Sequence, residues 1–277
     1  MTLSVIGNIG CAGPTPPPSV RAFADRVLAL DQSVGFGSAT SLDGSRLLTA
    51  RHVLPAALQR SDTVRIGSRT FDLTRGLYRG SLAGEDIRIL ALGLGRPRHA
   101  VQTDWAVLAP HPPTLPDTPL PRFAHPPPVG ARVWVIGYPE SLGGTEPDAK
   151  PTILAATVMA PLMSINGALD DETGTPVNLA GSFAARFVGS LPDLSGMSGG
   201  PVLWVAADGS IAVVGVTSHQ ASREELLGLR VRRWVFVCPV PEQIGALLIA
   251  PIPEPIDLPA LKIRGPIGTL TPGGPVP

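Results

Sequence analysis

The sequence predicts an all-β protein made of two β units. From Val34 onward, the 277-residue chain consists of short apolar runs of strand length, separated by glycines and charged turns. This pattern is typical of an all-β sandwich or barrel. The stretch at 110–129 is too rich in proline for a helix or a central strand. Because it divides the apolar runs into two series, we interpret it as a linker.

The proline-rich stretches divide the chain into five segments. These are an N-terminal tail with a short helix (1–30), a first β unit (31–109), the linker (110–129), a second β unit ending in a helix (130–250) and a proline-rich tail (251–277). Hydrophobic residues make up 44% of the chain, which is enough for each β unit to have its own core. The proline-rich tails could carry a regulatory partner or a further domain.

Two short helices are expected at the ends of the β units. In 19–30, apolar residues recur at near-helical spacing, with Ser19 as a plausible N-cap; they are Val20, Phe23, Val27 and Leu30. In 241–249, Ile244, Leu247 and Leu248 share one face of a helix, and Pro241 suits its first turn.

Composition and charge exclude several classes of protein. With 22 basic and 22 acidic residues, the formal net charge is +0, so we expect neither nucleic acid nor a membrane surface as a partner. No apolar run has the length of a membrane span, and no basic residue precedes Arg21, as a secretory signal requires. The two cysteines, Cys11 and Cys238, give no disulfide framework. A cytoplasmic protein is therefore expected.

The stretch GSLPDLSGMSGGPVLW at 189–204 surrounds Ser198 with glycines. GMSGG satisfies the G-x-S-x-G pattern of the α/β-hydrolase nucleophile turn, which a helix should follow. Here the strand-like PVLWVAA follows, and the histidine after Ser198, His219, comes too soon for the intervening elements of that fold. The α/β-hydrolase interpretation is therefore rejected.

Two further motifs precede this serine. His52 lies in TARHVL at the end of an apolar run, and Asp104 begins the apolar run TDWAVL. Each residue alone is compatible with a structural role. Together with SGMSGGPV, in the order His–Asp–Ser, they resemble the trypsin/chymotrypsin-like serine proteases, particularly the bacterial HtrA-like branch, over about 34–250. The resemblance implies two antiparallel six-stranded β-barrels, with the active site in the cleft between them.

The resemblance also implies residue roles. His52 would be the general base, Asp104 would orient it, and Ser198 would be the nucleophile of an acyl-enzyme mechanism. The N–H groups of Gly196 and Ser198 would form the oxyanion hole. The substrate-binding candidates are Asp193, near the floor of the specificity pocket but one residue out of register with trypsins, and Thr217 and Ser218 on the strand that lines the substrate groove.

A serine endopeptidase acting on proteins or peptides is thus the predicted function. A catalytically silent, protease-like binding or scaffold module is the alternative from another class, and an esterase with the same triad is a third. No cofactor and no metal ligand set are expected, since His111 and His125 lie in the linker without spaced partners. His219 faces either the substrate groove or solvent, and solvent is favoured.

Met197 departs from the pattern of digestive and clotting trypsins. Those enzymes carry an aspartate immediately before the nucleophile, and it pairs with a newly cut N-terminus. Met197 cannot form that ion pair. The enzyme is therefore expected either to fold directly into its active form or to be controlled by loop ordering or a partner.

Overall fold

The computed structural model describes residues 14–32, 35–54, 63–66, 69–73, 86–92, 101–111, 115, 117–146, 148–160, 166–169, 176–188, 194–220, 234–240, 244 and 248. The strands in these residues are β1 (Val27–Gln32), β2 (Gly35–Asp43), β3 (Arg46–Thr49), β4 (Thr63–Ile66), β5 (Arg69–Leu73), β6 (Asp86–Leu92), β7 (Ala106–His111), β8 (Arg132–Gly137), β9 (Thr152–Ala160), β10 (Asn166–Leu169), β11 (Pro176–Asn178), β12 (Phe183–Phe187), β13 (Pro201–Val205), β14 (Ile211–Gln220) and β15 (Trp234–Pro239). The helical elements are α1 (Pro18–Ala24) and short 3-10 turns at Arg51–Val53, Val101–Thr103 and Glu140–Leu142. Strands dominate, which confirms the all-β prediction.

The C-terminal half contains a closed barrel of six strands in the order β12-β15-β14-β13-β8-β9. Every pairing in it is antiparallel. This half therefore has the predicted six-stranded antiparallel architecture, and we call it the C-terminal barrel. Strands β10 and β11 form a separate two-stranded sheet.

The N-terminal sheet differs from the prediction of six antiparallel strands. Seven described strands follow the order β1-β2-β3-β7-β6-β5-β4, and β1 also pairs with β4. The pairing of β5 with β6 is parallel, over Asp72↔Asp86 and Leu73↔Ile87. The sequence pattern missed two strands here. β5 is short and carries charged residues, and β1 has the spacing of a helix.

The interval 19–30, predicted as one helix, divides between α1 and β1. Helix α1 ends at Ala24, with Pro17 at its N-cap, so the assignment of Ser19 as the N-cap is wrong. The following residues pair with β2 over six positions. Val27 and Leu30 point to opposite faces of this strand. Each is buried there in a different hydrophobic cluster. Strand pairing thus overrides the helical spacing.

Both faces of the strands next to the site are buried. Leu47 packs inside the N-terminal sheet, whereas its neighbour Leu48 belongs to a cluster shared by the two halves. Val135 lies inside the C-terminal barrel, and Ile136 belongs to the same shared cluster. Side chains alternate between the two faces of a strand. Because both faces are buried here, these segments are continuous apolar runs in the sequence. This double burial also joins the two halves through one core.

The proline-rich segment runs along the C-terminal barrel. Phe123 forms a parallel bridge with Val213, whose N–H donates to Arg122 O at 2.8 Å and whose carbonyl accepts from Ala124 N–H at 3.1 Å. Strand β7 continues through Pro110 and His111, the first two residues of the predicted linker.

The predicted C-terminal helix is described at two positions. Ile244 and Leu248 are helical and buried, and the rest of 241–249 lies outside the described residues. Residues 1–13 of the predicted N-terminal segment and the predicted tail 251–277 also lie outside them. Among the residues that the structure describes, no helix is both long and apolar enough to cross a membrane.

Candidate active site

Strand pairing brings His52 and Asp104 together. Strands β3 and β7 are antiparallel, with Thr49 opposite Ala106, so residues just after β3 lie beside residues just before β7. The main-chain N–H of His52 donates to Asp104 Oδ1 at 2.7 Å, and His52 Nδ1 lies 2.6 Å from Asp104 Oδ2. The carboxylate therefore fixes both the backbone and the ring of His52.

Asp104 is a fully buried carboxylate. Burial alone raises the pKa of Asp104, but the charge and hydrogen bond of His52, with smaller contributions from His219 and Ser218, outweigh it and hold that pKa below its usual value. Asp104 is therefore ionised at neutral pH. Burial, and secondarily the charge of Asp104, raises the pKa of the nearby Cys238 thiol well above its usual value. Cys238 is a free, buried cysteine.

The turn that carries Ser198 is held by the end of strand β14. The Gly199 N–H donates to Thr217 O at 2.7 Å, and the Thr217 N–H donates to Gly200 O at 2.8 Å. Gly196 and Gly199 have φ angles of 91° and 85°, in the left-handed region that L side chains rarely adopt. This backbone conformation explains why glycines flank Ser198 in the sequence.

Ser218 joins the nucleophile candidate to the carboxylate. Ser198 Oγ donates to the main-chain oxygen of Ser218 at 3.3 Å. The side-chain hydroxyl of Ser218 donates to Asp104 Oδ2 in a short hydrogen bond. Ser198 and Asp104 come from opposite halves of the chain, and Ser218 links them because it hydrogen-bonds to both.

The turns of His52 and Ser198 also meet over Gly37 in β2. A Cβ placed on Gly37 would lie 2.7 Å from Val53 Cγ1 and 3.1 Å from Ser198 O. Val53 belongs to the same 3-10 turn as His52. The structure therefore places the turns of His52 and Ser198 beside each other over Gly37, and Ser198 Oγ bonds to Ser218 O; a direct contact between His52 and Ser198 stays a prediction.

The predicted oxyanion residues lie on a turn whose other groups are engaged. The Met197 N–H donates to Leu194 O at 2.9 Å, and the Met197 side chain is buried in the C-terminal barrel. Within the described part of the chain, the N–H groups of Gly196 and Ser198 donate to no other residue. Their role as oxyanion donors stays a prediction.

Ser38, in the middle of β2, is a candidate positioning residue that the sequence did not indicate. Its N–H donates to Ser198 O at 2.7 Å, and its carbonyl accepts from Thr49 Oγ1 at 2.7 Å. Its hydroxyl donates to Gly196 O at 2.8 Å and accepts from the Tyr138 N–H at 3.0 Å. Ser38 therefore ties the Ser198 turn to the N-terminal sheet.

Replacing Ser38 with alanine is expected to lower the free energy of unfolding by about 2–4 kcal/mol, because the buried Gly196 carbonyl and Tyr138 N–H each lose a partner. Hydrolysis should also slow, since Gly196 loses an anchor. Urea unfolding and rate measurements check both effects. Ser41→Ala is the matched control, because the Ser41 hydroxyl donates to Asp43 O alone and its loss costs about 1 kcal/mol. Equal losses in the two variants would contradict this role for Ser38.

The substrate-binding candidates have other observed contacts or are not described. Asp193 lies outside the described residues. Thr217 is 4% exposed, and its main chain bonds to the turn that carries Ser198. Ser218 contacts Asp104. Direct contact of these three residues with substrate stays a prediction.

The expectation that His219 faces solvent is met only in part, because its side chain is half-buried. His219 Nδ1 lies 2.7 Å from Ser218 Oγ, and its ring centroid is 5.1 Å from that of His52. Ligand atoms of His52, Asp104 and His219 all lie within 4.8 Å of one another, so these residues could hold a metal ion. Of the linker histidines, His125 is exposed as expected. The side chain of His111 is not among those that the structure describes.

Comparisons with known proteins support the fold. No protein-family model and no curated protein sequence matches the chain. The active form of the Rv3671c protease from M. tuberculosis has 23% sequence identity and a TM-score of 0.54, over 92% of this chain and 96% of that one. Its inactive form gives 23% and 0.50 over 87% and 98%, and an inactive serine-to-alanine mutant gives 22% and 0.50 over the same shares. The chain therefore shares the β fold of a protease, and membership of the HtrA-like branch stays a prediction.

Proposed function

We propose that this chain is a serine endopeptidase in which Ser198 attacks the peptide carbonyl, His52 transfers the proton and Asp104 orients His52. The observation that carries this proposal is the double contact of His52 with a buried carboxylate, at 2.7 and 2.6 Å. Because Nδ1–H donates to Asp104, the lone pair of the neutral ring lies on Nε2, where a general base needs it.

The proposed reaction proceeds through an acyl-enzyme. As the Ser198 Oγ–carbon bond forms, the hydroxyl proton moves to His52 Nε2, and Asp104 stabilises the resulting imidazolium. His52 then gives that proton to the leaving amine, and water hydrolyses the ester by the same steps. The amides of Gly196 and Ser198 bind the oxyanion, with each donor contributing about 3–4 kcal/mol to the transition state.

We further propose that the enzyme folds directly into its active form. Burial of Met197 in the C-terminal barrel, the Ser38 contacts and the Glu140 N–H bond to Ser195 O at 2.8 Å hold the turn in place of an N-terminal ion pair. The substrate is a protein or peptide chain. A preference for Arg or Lys through Asp193 is part of the same proposal.

Two alternatives have distinct consequences. A silent binding module would keep the contact between His52 and Asp104 but would hydrolyse no substrate and take no label on Ser198, because it has no activated serine. An esterase shares the catalytic residues and differs only in its leaving group, so comparing an ester with the matching amide separates it from a peptidase.

The test is labelling with a fluorophosphonate probe followed by peptide mapping. The probe should modify Ser198, because it needs an activated serine beside an oxyanion hole. Ser195→Ala is the matched control, since Ser195 is exposed on the same turn and its loss should leave labelling intact. A folded protein that takes no label, or takes it at another residue, would reject the proposed site.

A further inference from the structure

A histidine pair and a carboxylate form a cluster at the proposed active site. In the described part of the chain, His52, Asp104 and His219 make up the group of metal-ligating side chains whose donor atoms lie within 4.8 Å of one another. The two imidazole rings are tilted by 40°. These residues are far apart in sequence, and only the fold brings them together.

The donor set fits zinc. Two imidazoles and one carboxylate are a known three-ligand set for Zn²⁺, with a fourth position left for water. Nitrogen donors disfavour Mg²⁺ and Ca²⁺, which take oxygen ligands. Asp104 is buried, whereas the His52 side chain is 22% exposed and His219 is half-buried. The cluster thus has an anionic base and an open side through which an ion can enter.

Zinc entry must displace contacts of the resting site. Ligand atoms around tetrahedral zinc lie about 3.3–3.5 Å apart, so donor atoms separated by up to 4.8 Å have to approach by up to about 1.3–1.5 Å. The Ser218 hydroxyl lies between Asp104 and His219 and has to rotate away. The ion therefore competes with the arrangement that holds His52 for catalysis.

We propose that His52, Asp104 and His219 form a Zn²⁺ site whose occupation inhibits the enzyme. If zinc binds Nδ1 of His52, the ring proton sits on Nε2, which then has no lone pair for the Ser198 proton. If zinc binds Nε2, the metal occupies that lone pair itself. The general base is lost in both cases. The inhibitory effect rests on the proposed protease function, whereas the binding site does not.

Metal binding is tested on the Ser198→Ala protein, where no catalysis is needed. Co²⁺ titrated into it should produce the visible ligand-field absorption of a nitrogen–oxygen site, and ZnCl₂ should abolish it. Adding His219→Gln should weaken Co²⁺ binding by at least about tenfold, since loss of a residue that only hydrogen-bonds to a metal ligand already lowers metal affinity by that factor. His125→Gln, an exposed histidine, is the matched control and should leave binding unchanged. Equal binding by the two histidine variants would overturn the site.

Inhibition is tested as the ratio of hydrolysis rates with and without ZnCl₂ within each variant, so that changes in basal rate cancel. Zinc should slow the wild-type chain, EDTA should restore the rate, and His219→Gln should need at least about tenfold more zinc. Binding without inhibition would overturn the inhibitory role alone. A wild-type chain with no hydrolysis would reject the protease function, and Co²⁺ binding would then still decide the site.

Discussion

Replacement of Ser198 by alanine is expected to slow peptide hydrolysis about a millionfold, as when one member of a catalytic triad acting as a unit is removed. The fold should survive, because the half-buried Ser198 hydroxyl makes a long hydrogen bond, at 3.3 Å to Ser218 O, and its loss costs no more than about 1 kcal/mol. Hydrolysis of an unstructured protein substrate and urea unfolding measure the two quantities.

The outcome of this substitution separates the functional alternatives. Ser195→Ala provides the reference, since it removes a neighbouring hydroxyl and should retain the wild-type rate. If Ser198→Ala hydrolyses as fast as the wild type, Ser198 is not the nucleophile. If the wild type is as slow as Ser198→Ala, the chain is a silent module.

Gly199→Ala is expected to have the largest effect on stability. Its φ of 85° costs an alanine about 1–2 kcal/mol. The new Cβ would collide with Ser38 O and Thr49 Oγ1 and lie 2.8 Å from Ala50 N, and overpacking adds about 1–3 kcal/mol. The total loss of unfolding free energy should be about 2–5 kcal/mol, and hydrolysis should fall with it because the Ser198 turn shifts.

Gly209→Ala isolates the collision from the backbone strain. Gly209 has a φ of 80°, and a Cβ there meets nothing within 4 Å. It should therefore cost only the backbone strain of about 1–2 kcal/mol and leave hydrolysis unchanged. Urea unfolding of both variants provides the comparison. Equal losses of unfolding free energy in the two variants would show that residues of the N-terminal sheet do not pack closely against Gly199.

The local motifs of the site could be identified from the sequence, because each lies in one short stretch with a distinctive environment. Glycines with left-handed backbones flank Ser198, and apolar strands adjoin His52 and Asp104. Ser38 and His219 carry no such mark. Ser38 is one small polar residue in a strand, and its importance arises from chains that approach it from three other segments.

The same distinction applies to the fold. The six antiparallel strands of the C-terminal barrel form continuous apolar runs, and the proline-rich boundary marked where they begin. Strand β1 could not be recognised, because Val27 and Leu30 continue the spacing of the helix before them. What decides their conformation is the partner strand β2, which lies outside any local window.

The bond between the Ser38 N–H and the Ser198 carbonyl has a consequence for how the protein forms. A chain in which only the C-terminal barrel has folded carries Ser198, but it lacks the strand that shapes its turn as well as His52 and Asp104. Under the proposed function, such a chain would be inert. Proteolytic activity would then arise only once both halves have folded and the Ser38 N–H has bonded to the Ser198 carbonyl.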